Sequence, residues 1–314
     1  MSAPTDPTRE RSQREDNVLE RIAKIVTPER TPAGETHVGD DAAVLLPFVG
    51  QAIISTDVAV LGVHLDATLF PLEDLGYKAV MAALSDLAAM GARPRGLVVA
   101  VSAPPGTDLE ALHRGVADAA ALASTPVVGG DLSRGGDVTV AVTVFGECPG
   151  RGAVLRSGAQ PGDEILVTAP LGRAAAGLRR RRAGAELTDE LVVAHRRPWP
   201  RLREGTAARG AHVHAMMDLS DGIGLDLHRM ADASDVGFAL TSLPVANGAT
   251  LDEAISGGED YELVIATNDP GRLRMLYLDR GLEAPITLGW VVEDPAVRTL
   301  GGEPLERRGF EHDL

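Results

Sequence analysis

Segments rich in β-branched residues and segments with helical apolar spacing follow one another along this chain without strict βαβ alternation. That order favours an α+β fold over a doubly wound sheet. Strands are expected at Gln51–Ser55, Gly96–Ser102, Pro126–Val128, Val138–Phe145 and Glu164–Thr168, each bounded by Gly, Pro or Asp. Between them, Pro71–Met90 carries Leu72, Leu75, Ala79, Ala82, Ala83 and Leu87 at three-to-four spacing and stops at Gly91, a C′ glycine. Thr107 is placed to cap the next helix, with Glu110 completing a capping box. Further helices are expected at Arg173–Arg182, Asp189–His195, Leu202–Ala208, Gly222–Ala231 and Pro270–Leu282, and strands at Met216–Asp218, Gly237–Thr241, Tyr261–Ala266 and Ile286–Val292.

A chain of 314 residues exceeds one ordinary core, so two domains of about 150 residues each are expected. Residues 1–16, rich in Pro, Thr, Arg and Glu, read as a disordered arm before a short helix around Val18–Ile25. The Pro/Gly cluster Glu147–Gly152 divides a first domain, 17–148, from a second, 149–314. Aromatic residues make up only 3% of the chain, so the cores must be aliphatic and a base-stacking platform is disfavoured. A net charge of −15 argues against nucleic acid as a partner. With Cys148 the single cysteine, no internal disulfide or multi-cysteine metal site exists. The polar N-terminal stretch and the lack of any long apolar run point to a cytoplasmic protein with no membrane partner.

Acidic residues recur beside Gly, Ser or Thr: Gly39-Asp40-Asp41, Ser55-Thr56-Asp57, Leu84-Ser85-Asp86, Gly129-Gly130-Asp131, Asp218-Leu219-Ser220-Asp221 and Gly257-Gly258-Glu259-Asp260. Small neighbours leave room for water around a carboxylate, the coordination Mg²⁺ prefers when it also holds phosphates. Asp86 falls in the last turns of a helix, where the macrodipole disfavours negative charge by up to about 1 kcal/mol; a compensating metal ion is expected there, the other reading being a solvated Asp on the polar face. Gly130-Asp131 reads as part of a Gly-rich loop at a strand end, suited to phosphate and its metal, although a plain hairpin turn has the same composition. Asp218 and Asp221 flank a helix start, where capping and metal ligation are both open. Either Asp40 or Asp41 fits an inward position before an expected strand at Val44–Leu46, and Asp57 fits either a ligand or a strand terminator. His64, between apolar neighbours, fits a packed residue or a site residue, and Arg156 a solvated cation or a phosphate clamp. No Gly-x-x-x-x-Gly-Lys-Ser/Thr loop and no protein-kinase motif set is present, so phosphoryl chemistry here would rest on Mg²⁺ and Arg.

Taken together, Gly39–Leu45, Ser55–Asp57, Gly62-Val63-His64, Ala83–Ala92, Gly129–Asp131, Arg156-Ser157-Gly158, Asp218–Gly222 and Ser256–Leu263 resemble the thiamine-monophosphate kinase family, of the aminoimidazole ribonucleotide synthetase superfamily. The motifs keep the family's order from about Val18 onward. The resemblance implies a two-domain α+β homodimer whose N-terminal domain binds ATP and metal and whose N-terminal sheets pair across the dimer. It implies ATP-dependent phosphorylation of thiamine monophosphate, with several Mg²⁺ ions. By the same resemblance Asp41, Ser55, Thr56, Asp57, Asp86, Asp131, Asp218 and Asp221 bind metal; Gly130, Asp131, Arg156 and Ser220 contact ATP; and His64, Glu259 and Phe310 contact the thiamine substrate.

Three departures touch the thiamine pocket: Val58–Leu61 is apolar where the family is more polar, Leu65 stands in place of Phe, and Leu132-Ser133 in place of a Thr pair. Because the acceptor is already a phosphate oxygen, no general base or covalent nucleophile is expected among the side chains. The remaining readings are a synthetase-type ATP-dependent cyclase and, in a different class, a non-catalytic nucleotide- or metal-binding regulator. The selenium and hydrogenase-maturation branches need a cysteine near the N- or C-terminus, and Cys148 is neither.

Overall fold

The computed structural model describes residues 7–27 and 30–311. In chain order its elements are α1 (Pro7–Val26), β1 (Gln51–Val60), α2 (Leu72–Ala89), β2 (Arg93–Ala103), α3 (Leu109–Leu122), β3 (Val127–Arg134) and β4 (Thr139–Cys148). They continue with β5 (Glu164–Val167), α4 (Arg173–Arg182), α5 (Glu190–Arg196), α6 (Leu202–Ala211), β6 (Ala215–Asp218), α7 (Ile223–Ser234) and β7 (Gly237–Leu240). The last are α8 (Leu251–Ser256), β8 (Leu263–Thr267), α9 (Pro270–Asp279), β9 (Ile286–Val292), β10 (Arg298–Leu300) and β11 (Glu303–Pro304). The chain is α+β, with one four-stranded sheet in the order β1-β4-β2-β3 and one seven-stranded sheet in the order β11-β10-β7-β9-β5-β8-β6. Among the described residues, no helix is long and apolar enough to cross a membrane.

Helix α1 begins at Pro7, well upstream of the expected Val18–Ile25, and so covers most of the segment read as a disordered arm. Pro at the first helical position and the following run of Arg, Glu and Gln are good helix formers, and composition alone did not weigh them. Residues 1–6 of that arm lie outside the described residues. Contacts divide the chain into two compact units, each assembled from three stretches of sequence: Met1–Pro47, Val58–Val80 and Gly96–Thr143 form the first, and Phe48–Asp57, Met81–Arg95 and Val144–Leu314 the second.

In the first unit, α2 and α3 touch backbone to backbone. A Cβ on Gly76 would lie 2.1 Å from the Leu112 carbonyl, and one on Gly115 only 1.7 Å from that of Glu73, so both positions require glycine. The cap of α3 is Asp108, whose side chain accepts the Ala111 amide at 2.9 Å. Thr107, the expected cap, instead donates to the Pro104 carbonyl at 2.8 Å, and Glu110 pairs with Arg21. The capping-box expectation is thus off by one residue, because Asp caps at least as well as Thr. No strand forms at 44–46; Val44 makes only an isolated bridge to Thr36.

In the second unit, period-two alternation sends side chains to two cores on opposite faces of the seven-stranded sheet. Ile165, Val167, Met217 and Val264 join α7 residues Ile223, Leu227 and Met230 on one face. Leu166, Met216, Leu263 and Ile265 join Ala207 and Ala208 of α6 and Leu273 and Tyr277 of α9 on the other. Aliphatic residues dominate both, in keeping with the scarcity of aromatics. Helix α2 ends in a Schellman motif, with Ala92 N–H on Leu87 O at 2.8 Å, Gly91 N–H on Ala88 O at 2.9 Å and Gly91 at φ +66°.

Candidate active site

The second unit gathers most of the acidic motifs. On β1 the pleat points Ser55 and Asp57 one way and Thr56 the other, where it is exposed. Ser55 Oγ donates to Asp86 Oδ2 in a short hydrogen bond. Burial lifts the Asp86 carboxyl above its ordinary value; the Ser55 hydrogen bond and Arg156 oppose that rise and Asp57 adds to it. Asp218, at the end of β6, is nearly buried and accepts a 2.6 Å hydrogen bond from Ser85 Oγ. Burial, with the charges of Asp86 and Asp226 adding, pushes it up to about 7. The buried Tyr261 hydroxyl is raised too, first by burial and then by Glu259, Asp57, Asp218 and Asp221. Six carboxylates, Asp57, Asp86, Asp218, Asp221, Asp226 and Glu259, therefore act on one another or on Tyr261 in one region.

The turn after β6 completes this group. Neither Asp218 nor Asp221 caps α7; its N-cap is Gly222, with no side-chain cap bond, which removes the capping explanation for both. Glu259 N–H bonds the Ser220 carbonyl at 2.7 Å, and Phe310 N–H bonds the Asp221 carbonyl at 2.9 Å. Glu259 and Tyr261 both adopt left-handed backbone, φ +70° and +51°, conformations that cost about 1 kcal/mol or more each for a non-glycine residue and cluster at functional sites. Asp260 between them accepts the Gly172 and Ala174 amides at the start of α4, and Glu262 is ion-paired with Arg201. Of the acids in this stretch, Glu259 is the one directed elsewhere, with His195 Nδ1 3.5 Å from its Oε2.

The first unit holds the rest. Gly129-Gly130-Asp131 lies inside β3, paired in parallel with β2 through Val98↔Gly129, Val99↔Gly130 and Ala100↔Asp131, and is not the loop that its composition suggested. Glycine suits this strand because a Cβ on Gly130 would lie 2.2 Å from the Val99 carbonyl. Gly39 and Gly129–Asp131 border one cavity of about 510 Å³, lined also by Leu19, Ile22 and Val26 of α1 and by Val99 and His113. Asp40 is spent locally, accepting the Asp41 amide at 2.8 Å, while the Asp41 side chain is exposed. His64 Nδ1 accepts the Val60 amide at 3.0 Å, which puts the proton of the neutral ring on Nε2, and buried Lys78 donates to the His64 carbonyl at 3.0 Å.

Four residues of this arrangement escaped the sequence reading: Ser85, His195, Asp226 and Arg229. Asp226 has no exposed surface, accepts the Asp221 amide at 2.9 Å and is raised to about 6 by burial. An acid in the first turn of a helix is ordinary in sequence, and only its burial marks it. Among the described residues, no three His, Cys, Asp or Glu side chains are arranged to hold a metal ion by themselves. The carboxylate and hydroxyl donors are nonetheless all oxygen, which fits a hard divalent ion that keeps water or phosphate in most of its shell.

A two-domain α+β chain with such a carboxylate cluster has the organisation of the AIR synthase related proteins, whose N-terminal domain model matches residues 39–148 and whose C-terminal domain model matches 160–298. Thiamine-monophosphate kinases of Synechococcus elongatus and Escherichia coli K12 are 34% and 36% identical to it, over 87% and 88% of this chain and 90% and 92% of theirs. The chain belongs to the AIR synthase related family and, within it, to the thiamine-monophosphate kinases. Among solved structures, the thiamine-monophosphate kinase of Stenotrophomonas maltophilia superposes with a TM-score of 0.78 at 31% identity, covering 92% of this chain and 95% of that one. AaThiL complexed with AMPPCP and TMP gives 0.74 at 25% identity over 95% and 96% of the two chains. The Escherichia coli hydrogenase maturation protein HypE, at 0.74 and 20% identity over 95% and 96%, shares the fold.

Proposed function

We propose that this protein transfers the γ-phosphoryl group of ATP to thiamine monophosphate, giving thiamine diphosphate and ADP by direct in-line displacement. The observation that carries the reading is near-full-length identity to thiamine-monophosphate kinases in a chain whose buried acids crowd together. The acceptor is a phosphate oxygen largely ionised near neutrality, so the side chains need not supply a base. The obstacle is charge. Two like charges about 4 Å apart at an effective dielectric near 20 repel by roughly 4 kcal/mol. A bound Mg²⁺ would supply neutralising charge to this site.

Asp57, Asp86, Asp218 and Asp221, with Ser55 and Thr56, would hold part of that Mg²⁺, and Asp41 and Asp131 the rest. In the first unit Gly130 and Asp131 would contact ATP; in the second unit Arg156 and Ser220 would do so. Glu259, Phe310 and His64 would contact the thiamine substrate. The reading includes a homodimer. β1 is an edge strand of its sheet, yet Ile54 and Val58 on one face are 64% and 43% exposed, an arrangement that invites pairing with a second copy. It also puts the reaction in the cytoplasm, where ATP is made available.

The test is incubation with ATP, Mg²⁺ and either thiamine monophosphate or formylglycinamidine ribonucleotide. ADP release with the first alone is expected, and release with the second alone would replace this reading by the cyclase. Nucleotide binding with no ADP from either would favour a regulator. A labelled protein band surviving denaturation after incubation with γ-labelled ATP would exclude direct transfer.

A further inference from the structure

We propose that Asp226 and Arg229 are positioning residues that aim the Asp221 carboxylate and set how readily it takes a divalent cation; this rests on the reading of Asp221 as a cation ligand. Asp221 stands on the turn between β6 and α7, directly before Gly222, whose φ of +103° and missing side-chain cap leave the helix start without its usual anchor. The anchor comes instead from inside the helix. Asp226 Oδ2 accepts the Asp221 amide at 2.9 Å, and Arg229 Nη1 donates to Asp226 Oδ1 at 2.8 Å and, in a short contact, to Asp221 Oδ2. Asp226 and Arg229 are three residues apart on α7 and so share a face.

Asp226 is fully buried, whereas the side chains of Asp221 and Arg229 retain 26% and 34% of their exposure. A buried carboxylate is costly unless paired and hydrogen-bonded. Both oxygens of Asp226 are committed to Asp221 and to the guanidinium that Asp221 shares. Asp221 Oδ1 takes no part in these contacts and is left for a cation. While Asp226 is ionised, Arg229 stays satisfied when Asp221 turns to that cation. Without the Asp226 charge, Asp221 is the guanidinium's only carboxylate, and the incoming ion must compete with it.

Asp226→Asn keeps the volume and an oxygen for the Asp221 amide but removes the charge. In the full-length protein we expect it to weaken Mn²⁺ binding, titrated by electron paramagnetic resonance with Mn²⁺ alone, by about fivefold or more, and to raise the half-saturating Mg²⁺ for turnover in parallel. Adding Arg229→Gln should restore most of both. A lowered melting temperature with both cation curves unchanged would mean a merely structural role and overturn the proposal. Asp221→Asn is the reference: if it also leaves the curves unchanged, the ligand reading of Asp221 fails, and if it alone shifts them, only the positioning role fails. Should Asp226→Asn not fold, Arg229→Gln alone carries the test, with tighter Mn²⁺ binding expected and unchanged binding overturning the proposal.

Discussion

Asp218 is the residue whose replacement tests the physics of this site most directly. Its carboxyl titrates at about 7 in the folded protein against an ordinary 3.8, first through burial and then through the Asp86 charge. The folded state therefore holds this proton more tightly than the unfolded chain, and the sign follows from linkage. Below about pH 4 both states are protonated and nothing is lost; between pH 4 and 7 the unfolded chain releases the proton and the fold does not, so stability falls as pH rises; above 7 the loss is complete. A gap of about three at about 1.4 kcal/mol per pH unit sets a ceiling of roughly 4 kcal/mol, in which the mutual repulsion with Asp86 is included. Asp218→Asn keeps an oxygen to accept the Ser85 hydroxyl and carries no charge. In metal-free buffer at pH 8 it should raise stability by roughly 2–4 kcal/mol, or about 5–10 °C in melting temperature, and abolish turnover, as expected where a site is kept at the cost of stability. The gain should shrink steadily on titration to pH 4.5. Added Mg²⁺ should raise the melting temperature of the wild type much more than that of the variant. Scanning calorimetry across this pH range is the assay. Equal melting temperatures at pH 8, or a gain that does not change with pH, would refute the account of Asp218 as a buried carboxylate under repulsion.

Asp86→Asn and Asp131→Asn should each lose nearly all turnover while keeping a native circular dichroism spectrum; wild-type rates at saturating Mg²⁺ would remove those residues from the metal set. Gly115→Ala should lose about 2 kcal/mol or more, read from the urea midpoint, because its Cβ would sit 1.7 Å from the Glu73 carbonyl. A neutral outcome would show that α2 and α3 can separate freely. Ile54→Asp should convert a dimer to a monomer in analytical ultracentrifugation, and a dimer of unchanged affinity would move the interface away from β1.

What could be read from the residues was whatever depends on local chemistry. Alternating and three-to-four apolar spacing located most strands and helices, with α4 and β9 matching to the residue. Acids beside small residues picked out Asp86, Asp218 and Asp221. The short elements α8, β10 and β11 carry too few residues for a period to show. Gly129-Gly130-Asp131 looked like a loop because glycine breaks strands on average, whereas here its missing Cβ lets β2 and β3 approach.

Composition and motif by themselves determined an acidic α+β chain whose carboxylates recur beside small residues, since charge, side-chain volume and periodicity belong to each residue. Which carboxylates are buried, and what each one contacts, was a matter for tertiary structure. Asp260 and Asp226 look in sequence no different from Asp218, yet one accepts amides at the start of α4, one accepts the Asp221 amide, and one lies buried under the charge of Asp86. Burial and neighbouring charge make that distinction, and both arise only when residues distant in the chain are packed together.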